Sequence, residues 1–191
     1  MSERVAGVVL AGGQGSRLGG LDKGLQLYAG RPLLEFMLDC LAPICSSLLI
    51  SANRNLDIYR HYGYPVIPDS GDGFAGPLAG LLATLPVLDC EYALIVPCDM
   101  PKLSPTILRH LLRALQSSSV DAVVAADPSR KHYSVVACHI EPALIALQDA
   151  WAAGDRSLRA WLARLSTQEL QFPDVDAFVN CNSPDNFNLD K

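Results

Sequence analysis

A chain of 191 residues with 50% hydrophobic and 18% charged side chains suits one well-filled domain and is too apolar for a disordered or fibrous protein. Fifteen basic against twenty acidic groups give a net charge of −5, and no Lys/Arg run exceeds Arg130-Lys131. Whole-molecule attraction to nucleic acid or to an anionic membrane is therefore not expected, and any phosphate must be held by a local site.

Residues 5–10 form an apolar run that predicts a buried strand, followed by a long glycine-rich loop over 11–24. A helix is predicted over 32–41, with Pro32 in its first turn and Pro43 past its end. A strand over 48–51, a short helix over 56–62 and a short strand over 65–67 come next. A small-residue helix over 77–85, entered through Gly76, leads to a strongly apolar strand over 93–96. Ser104-Pro105 reads as an N-cap and first-turn pair opening a helix to about residue 116. Strands over 120–125 and 135–137 and helices over 142–152 and 158–165 complete the alternation, and Ser183-Pro184-Asp185 opens a last short helix.

Strands that alternate with helices and read as continuous apolar runs predict a mainly parallel sheet covered on both faces, a three-layer α/β/α Rossmann-like domain. No stretch approaches a membrane span of roughly 20 apolar residues, so a cytoplasmic protein is expected. Cys40, Cys45, Cys90, Cys98, Cys138 and Cys181 contain no C-x-x-C pair and read as small core hydrophobes in a reducing compartment.

Ligands of such sheets bind beyond the carboxyl ends of the strands. The loops that follow strands here carry Ala11-Gly12-Gly13 with Arg17 and Lys23, Ala52-Asn53-Arg54, Pro68-Asp69, Pro97-Cys98-Asp99 and Asn180-Cys181-Asn182. The first loop holds six glycines and two cations, a composition that turns backbone N–H groups and charge-assisted donors toward phosphate oxygens. It is not a dinucleotide fingerprint, because after Gly13-x-Gly15 the third glycine would fall on Leu18. Nor is it a P-loop, since Asp22 precedes Lys23 and no Ser/Thr follows. Asp99, after an apolar strand and between two prolines, suits Mg²⁺, which prefers one or two carboxylates plus phosphates and water. Ser51, Asn53 and Asp69 are short polar side chains suited to a base or ribose, and each is also a common turn former.

These motifs, Leu10-Ala11-Gly12-Gly13-x3-Arg17-Leu18-Gly19-Gly20-x-Asp22-Lys23-Gly24, Ser51-Ala52-Asn53-Arg54, Gly76-Pro77-Leu78-Ala79-Gly80, Pro97-Cys98-Asp99-Met100-Pro101 and Asn180-x-Asn182-Ser183-Pro184, resemble the molybdenum cofactor guanylyltransferase family in order and over nearly the whole chain. The resemblance implies transfer of GMP from GTP to the terminal phosphate of Mo-molybdopterin, with Mg²⁺ as cofactor. By matched position, Leu10, Ala11, Gly12 and Lys23 would bind GTP, Asp69 would contact the guanosine part and Asp99 would take Mg²⁺. Gly13, Ser51, Asn53, Asn180 and Asn182 belong to the same binding set, and Lys23, Arg17 and Asp99 would carry catalysis. GTP would sit on the N-terminal half, about residues 1–100, and the acceptor on the half from about 101 to 191. A monomer is expected, with molybdenum-insertion and molybdoenzyme-maturation proteins as possible partners.

The chain departs from the family pattern in three places. Ser51 stands where some members carry Asn, so the guanine contact there is lost, passed to Asn53 or kept through the hydroxyl. Tyr133 replaces the proline of a His-Pro pair, and His132 reads as a solvated histidine, with an acceptor contact as the alternative. Arg156 resembles a position near the pterin phosphate and equally an ordinary surface arginine. The competing readings are CMP transfer to molybdopterin or to a sugar or polyol phosphate, and a non-catalytic nucleotide or pterin carrier.

Overall fold

The computed structural model describes residues 4–12, 22–69 and 76–181. The predicted helix at 183–185, together with Gly13, Arg17 and Asn182, lies outside the described residues.

β1 (Val5–Leu10) is followed by a hairpin of β2 (Leu27–Tyr28) and β3 (Arg31–Pro32), then by α1 (Leu33–Leu41) and β4 (Ser47–Ser51). α2 (Leu56–Arg60), β5 (Val66–Ile67), α3 (Pro77–Thr84), β6 (Tyr92–Pro97) and α4 (Pro105–Gln116) follow. The chain continues through β7 (Ala122–Ala126), β8 (Lys131–His139), α5 (Ile140–Ala152), α6 (Leu158–Leu162) and β9 (Thr167–Gln171). Seven strands form one sheet in the order β5-β4-β1-β6-β8-β7-β9, with β8 antiparallel to both its neighbours. Pairs β1–β4, β1–β6, β4–β5 and β7–β9 are parallel.

Alternation along each strand divides the core into two layers. On one face Val5, Val9, Leu94 and Val96 meet Leu34, Met37 and Leu41 of α1 and Leu108, Leu111 and Leu115 of α4. On the other, Val8, Ala93, Ile95 and Val136 meet Leu78 and Leu81 of α3, Leu147 of α5 and Trp161 of α6. A strand buried on both faces needs apolar residues at every position, which is why β1 and β6 read as uninterrupted runs. Trp161 is fully buried because its indole N–H donates to the Ala143 carbonyl at 3.0 Å.

Several boundaries differ from the sequence expectation for identifiable reasons. The hairpin β2–β3 turns through Ala29 (φ 48°) and Gly30 (φ 77°), and its two-residue strands are too short to show a period. Pro32 pairs with Leu27 in that hairpin at ψ 136°, so α1 begins one residue later than predicted. α5 begins two residues earlier, because Pro142 falls within the first turn, where a missing N–H costs nothing. α6 ends at Leu162 instead of 165. β8 is nine residues long instead of three and runs antiparallel, since four residues after β7 cannot make a crossover. β9 was not expected: its sequence Thr-Gln-Glu-Leu-Gln is mostly exposed edge, without an apolar face to mark it.

Candidate active site

The carboxyl ends of β1, β4 and β6 are tied to one another by backbone hydrogen bonds beyond the strand ends. Ala11 N–H donates to the Ser51 carbonyl at 2.8 Å, Cys98 N–H to Leu10 at 3.1 Å, and Ala52 N–H to Ile67 at 3.2 Å. A cleft of about 280 Å³ opens at this edge, lined by Leu10, Ala11, Gly12, Lys23, Asp99 and Ser134 among others. A larger groove of about 670 Å³ lies elsewhere, around Leu88, Glu91, His139 and Glu141. The groove carries two carboxylates, whereas the smaller cleft pairs the Asp99 carboxylate with the Lys23 ammonium at the carboxyl edge of the sheet.

Asp99 is 5% exposed and anchors the cleft. Its Oδ2 accepts from Lys23 Nζ in an ion pair and from Asn180 Nδ2 at 3.0 Å, while its carbonyl takes the N–H of Cys181 at 2.8 Å. Oδ1 is buried and, among the described residues, has no hydrogen-bond partner. An orphaned buried carboxylate oxygen is costly unless a ligand satisfies it, and its hard, anionic character fits a divalent cation. No group of three or more His, Cys, Asp or Glu gathers among the described residues, so such an ion would take its other ligands from substrate phosphates and water.

Lys23 reaches Asp99 because the preceding residue is clamped. Asp22 Oδ1 accepts from the Tyr59 hydroxyl at 2.5 Å and Oδ2 from Asn55 Nδ2 at 3.0 Å. Asn55 holds the left-handed backbone at φ 49° that starts α2. A Cβ on Gly24 would come within 2.5 Å of the Tyr59 hydroxyl, so only glycine leaves this clamp closed. Burial, the largest cause, together with nearby negative charge pushes the Tyr59 phenol well above its ordinary range and keeps it a donor. Sequence reasoning missed Tyr59 and Asn55, which carry no motif of their own. Tyr59→Phe is expected to cost about 1–2 kcal/mol and a few-fold in kcat, read by thermal melting and steady-state rate; wild-type values for both would remove Tyr59 from the clamp.

Asp69 and Asn53 form a second unit. Asn53 Nδ2 donates to Asp69 Oδ2 at 2.7 Å, and Asp69 N–H donates back to Asn53 Oδ1 at 2.8 Å. Burial raises the Asp69 carboxyl above the usual range, and the Asn53 bond opposes it. Among the described residues Asp69 Oδ1 has no hydrogen-bond partner. Ser51 is almost fully buried beneath α3, and a Cβ on Gly80 would stand 2.4 Å from Ser51 Oγ and 3.3 Å from Asp69 Oδ1.

A family model described as the MobA-like NTP transferase domain matches residues 7–170. The chain belongs to the MobA-like NTP transferase family. It is 36% identical over 187 residues to the molybdenum cofactor guanylyltransferase of Shewanella loihica, covering 97% of this chain and 94% of the relative. The corresponding protein of Ralstonia pickettii is 39% identical over 188 residues, at 94% and 92% coverage. Molybdopterin-guanine dinucleotide biosynthesis protein A from Archaeoglobus fulgidus superposes with a TM-score of 0.79 at 23% identity, covering 95% of this chain and 94% of that one. The 4-diphosphocytidyl-2C-methyl-D-erythritol synthase of Anaerococcus prevotii shares the fold, at a TM-score of 0.76, 13% identity and coverage of 97% and 93%. The three-layer Rossmann-like nucleotidyltransferase architecture expected from the sequence is thus the observed one.

Against the family pattern, His132 is not a solvated side chain. It is 4% exposed, its Nε2 lies 2.7 Å from Asp127 Oδ2, and its ring stacks on Phe178. A histidine and an aspartate five residues apart look hydrophilic in sequence, and only the β7–β8 pairing, which puts His132 opposite Ala125, folds them inward. Arg156 is exposed and tethered: Nη1 donates to the carbonyls of Trp151 (3.1 Å) and Asp155 (2.7 Å), and the guanidinium lies 3.7 Å from the Trp151 ring centroid. Its backbone carbonyl lies against Gly76 at the start of α3, beside Pro77 and Leu158 of the cleft wall.

Proposed function

We infer that the chain is a molybdenum cofactor guanylyltransferase, transferring GMP from GTP to the terminal phosphate of Mo-molybdopterin and releasing pyrophosphate. The observation that carries this reading is the Lys23–Asp99 pair beside the Leu10–Gly12 backbone at the carboxyl edge of the sheet, in a chain whose relatives bear that name.

The acceptor is a phosphate monoester with a second pKa of about 6, so at neutral pH it attacks the α-phosphorus without a protein base. His132 supplies none, being buried with its Nε2 on Asp127. Catalysis rests on holding two anions in line and neutralising charge on the leaving pyrophosphate. The Lys23 ammonium does the second, with Arg17 and Gly13 of the glycine-rich loop as further phosphate partners. Asp99 would hold Mg²⁺, which when bound supplies charge neutralisation on the triphosphate. Asn180 braces Asp99 by donating to its Oδ2, and Asn182 is a further nucleotide partner in this reading.

The nucleotide occupies the half up to about residue 100, its guanosine against Asp69, Asn53 and Ser51, and the acceptor occupies the half beyond. Arg156, whose backbone carbonyl lies against Gly76 at the start of α3, is the proposed partner of an acceptor phosphate. The reading extends to a cytoplasmic monomer that exchanges pterin with molybdenum-insertion and molybdoenzyme-maturation proteins. No helix among the described residues is long and apolar enough to cross a membrane.

The test is pyrophosphate release and dinucleotide formation from purified protein, Mg²⁺, Mo-molybdopterin and each of the four nucleoside triphosphates. GTP should be preferred; a preference for CTP, or no release at all, would replace the reading with cytidylyl transfer or a carrier. Base choice has its own test. Guanine offers N1–H and a 2-amino group, and with Asn53 on Oδ2 the open acceptor of Asp69 is Oδ1. Inosine triphosphate lacks only the 2-amino group, a loss of about 1–3 kcal/mol if a carboxylate oxygen reads it. GTP should exceed inosine triphosphate by roughly ten- to a hundredfold in kcat/KM, and Asp69→Asn should shrink the ratio. An unchanged ratio would move Asp69 to the ribose.

A further inference from the structure

A buried titratable pair behind the cleft is not used by the transfer chemistry. Asp127, directly after β7, is 4% exposed. Its Oδ1 accepts from the Ser129 N–H at 2.7 Å, the Ser129 hydroxyl at 2.5 Å and the Arg130 N–H at 3.0 Å. These bonds, the Ser129 hydroxyl foremost, hold its carboxyl below the usual range. Burial lowers the His132 imidazole against the opposing pull of Asp127. A carboxylate only accepts, so Nε2 carries the proton and the carboxylate sets both the tautomer and the ring plane.

That plane faces Phe178, with ring centroids 4.3 Å apart and 13° between the rings. Phe172 packs on Phe178 in turn, with ring centroids 5.8 Å apart, and its N–H donates to the Ala126 carbonyl at 2.8 Å, tying β9 to the end of β7. Phe178 is 1% exposed. Two residues on, Asn180 Nδ2 donates to Asp99 Oδ2, and the next N–H, of Cys181, donates to the Asp99 carbonyl. Contacts from Asp127 through His132 to Phe178, and then two residues of backbone, therefore lead to Asn180 and the carboxylate at the centre of the cleft. Burying an ion-capable pair where apolar residues of equal volume would stabilise at least as well points to a requirement for fixed geometry.

We propose that Asp127, His132 and Phe178 are positioning residues for the transfer reaction: the carboxylate fixes the imidazole plane, the imidazole holds Phe178 face-on, and Phe178 sets Asn180 against Asp99. The proposal rests on the reading above, in which Asn180 and Asp99 belong to the active site.

The experiment measures kcat, KM for GTP and the half-saturating Mg²⁺ concentration for wild type, Phe178→Leu, Asp127→Ala, Asp127→Asn, Asn180→Ala and Phe178→Leu/Asn180→Ala, each well below its own melting temperature. Phe178→Leu keeps apolar volume and loses the flat face. Asp127→Asn keeps the acceptor for Ser129 and Arg130 and can donate to the other imidazole tautomer. Phe178→Leu and Asp127→Ala should each lower kcat about tenfold and shift the Mg²⁺ requirement, with KM for GTP moving less, while Asp127→Asn stays within about threefold of wild type. In the Asn180→Ala background Phe178→Leu should cost less than about twofold, because the residue it positions is gone. An equal cost in both backgrounds would sink the latch and leave the site reading standing. A wild-type rate for Asn180→Ala would remove Asn180 from the site, and the latch with it. Should Phe178→Leu fail to fold, the Asp127 pair decides: equal loss in Asp127→Ala and Asp127→Asn overturns the proposal, and rescue by Asn supports it.

Discussion

Lys23→Ala is expected to lower kcat by about 10²–10³-fold while raising KM for GTP by less than tenfold, the range seen when one preorganised donor to a developing negative charge is removed. The ammonium meets a carboxylate in the ground state, Asp99 Oδ2, and the anionic triphosphate on binding. Its largest contribution falls where charge moves onto the leaving pyrophosphate, so the loss belongs in kcat. The substitution also leaves Asp99, buried at 5% exposure, with Asn180 as its remaining side-chain donor among the described contacts. A modest drop in melting temperature should accompany the rate loss. A rise confined to KM for GTP would make Lys23 a ground-state clamp and withdraw its catalytic role.

Asp99→Asn is expected to cost about 10²-fold in turnover at an Mg²⁺ concentration that saturates wild type, with the fold intact. The geometry says why the two effects separate. Lys23 and Asn180 both donate to Oδ2, so the amide oxygen takes that place and keeps both partners. The amide nitrogen then falls where Oδ1 stood, the buried oxygen that no described residue satisfies. A hard cation binds an amide N–H₂ poorly, and among the described residues no other carboxylate cluster is there to substitute. Titration of rate against Mg²⁺, with thermal melting beside it, is the measurement. Near-normal turnover at limiting Mg²⁺ would remove Asp99 from the metal site.

The placement of most candidate site residues was legible before any coordinates, because they sit in loops that follow apolar strands. Leu10–Gly12, Asn53, Asp69 and Asp99 fall at such ends, and the rule that α/β sheets bind ligands there collects them on one edge. Asn180 follows a short helical turn over Asp176–Phe178, not the strand that the sequence suggests. What that rule cannot supply is pairing. Nothing in the spacing of residues 23, 99 and 180 says that two donors converge on one oxygen of Asp99 and leave the other open. Nor does it say that Asn53 occupies one oxygen of Asp69.

The sequence by itself determined the alternation of strands and helices, the two-sided burial of the sheet and the glycine-rich loop, since each is written in local composition: apolar runs, N-cap and proline pairs, clustered glycines. The tertiary structure alone decided the rest. It turned β8 antiparallel, recruited the polar segment Thr167–Gln171 as an edge strand, closed Tyr59 and Asn55 on Asp22, and drove His132 inward onto Asp127 and Phe178. The last two share one physical reason. Partners such as Asp22 and Tyr59, or His132 and Phe178, lie tens of residues apart, and a polar side chain looks like a solvated one until folding removes its water and obliges it to find a specific donor or acceptor.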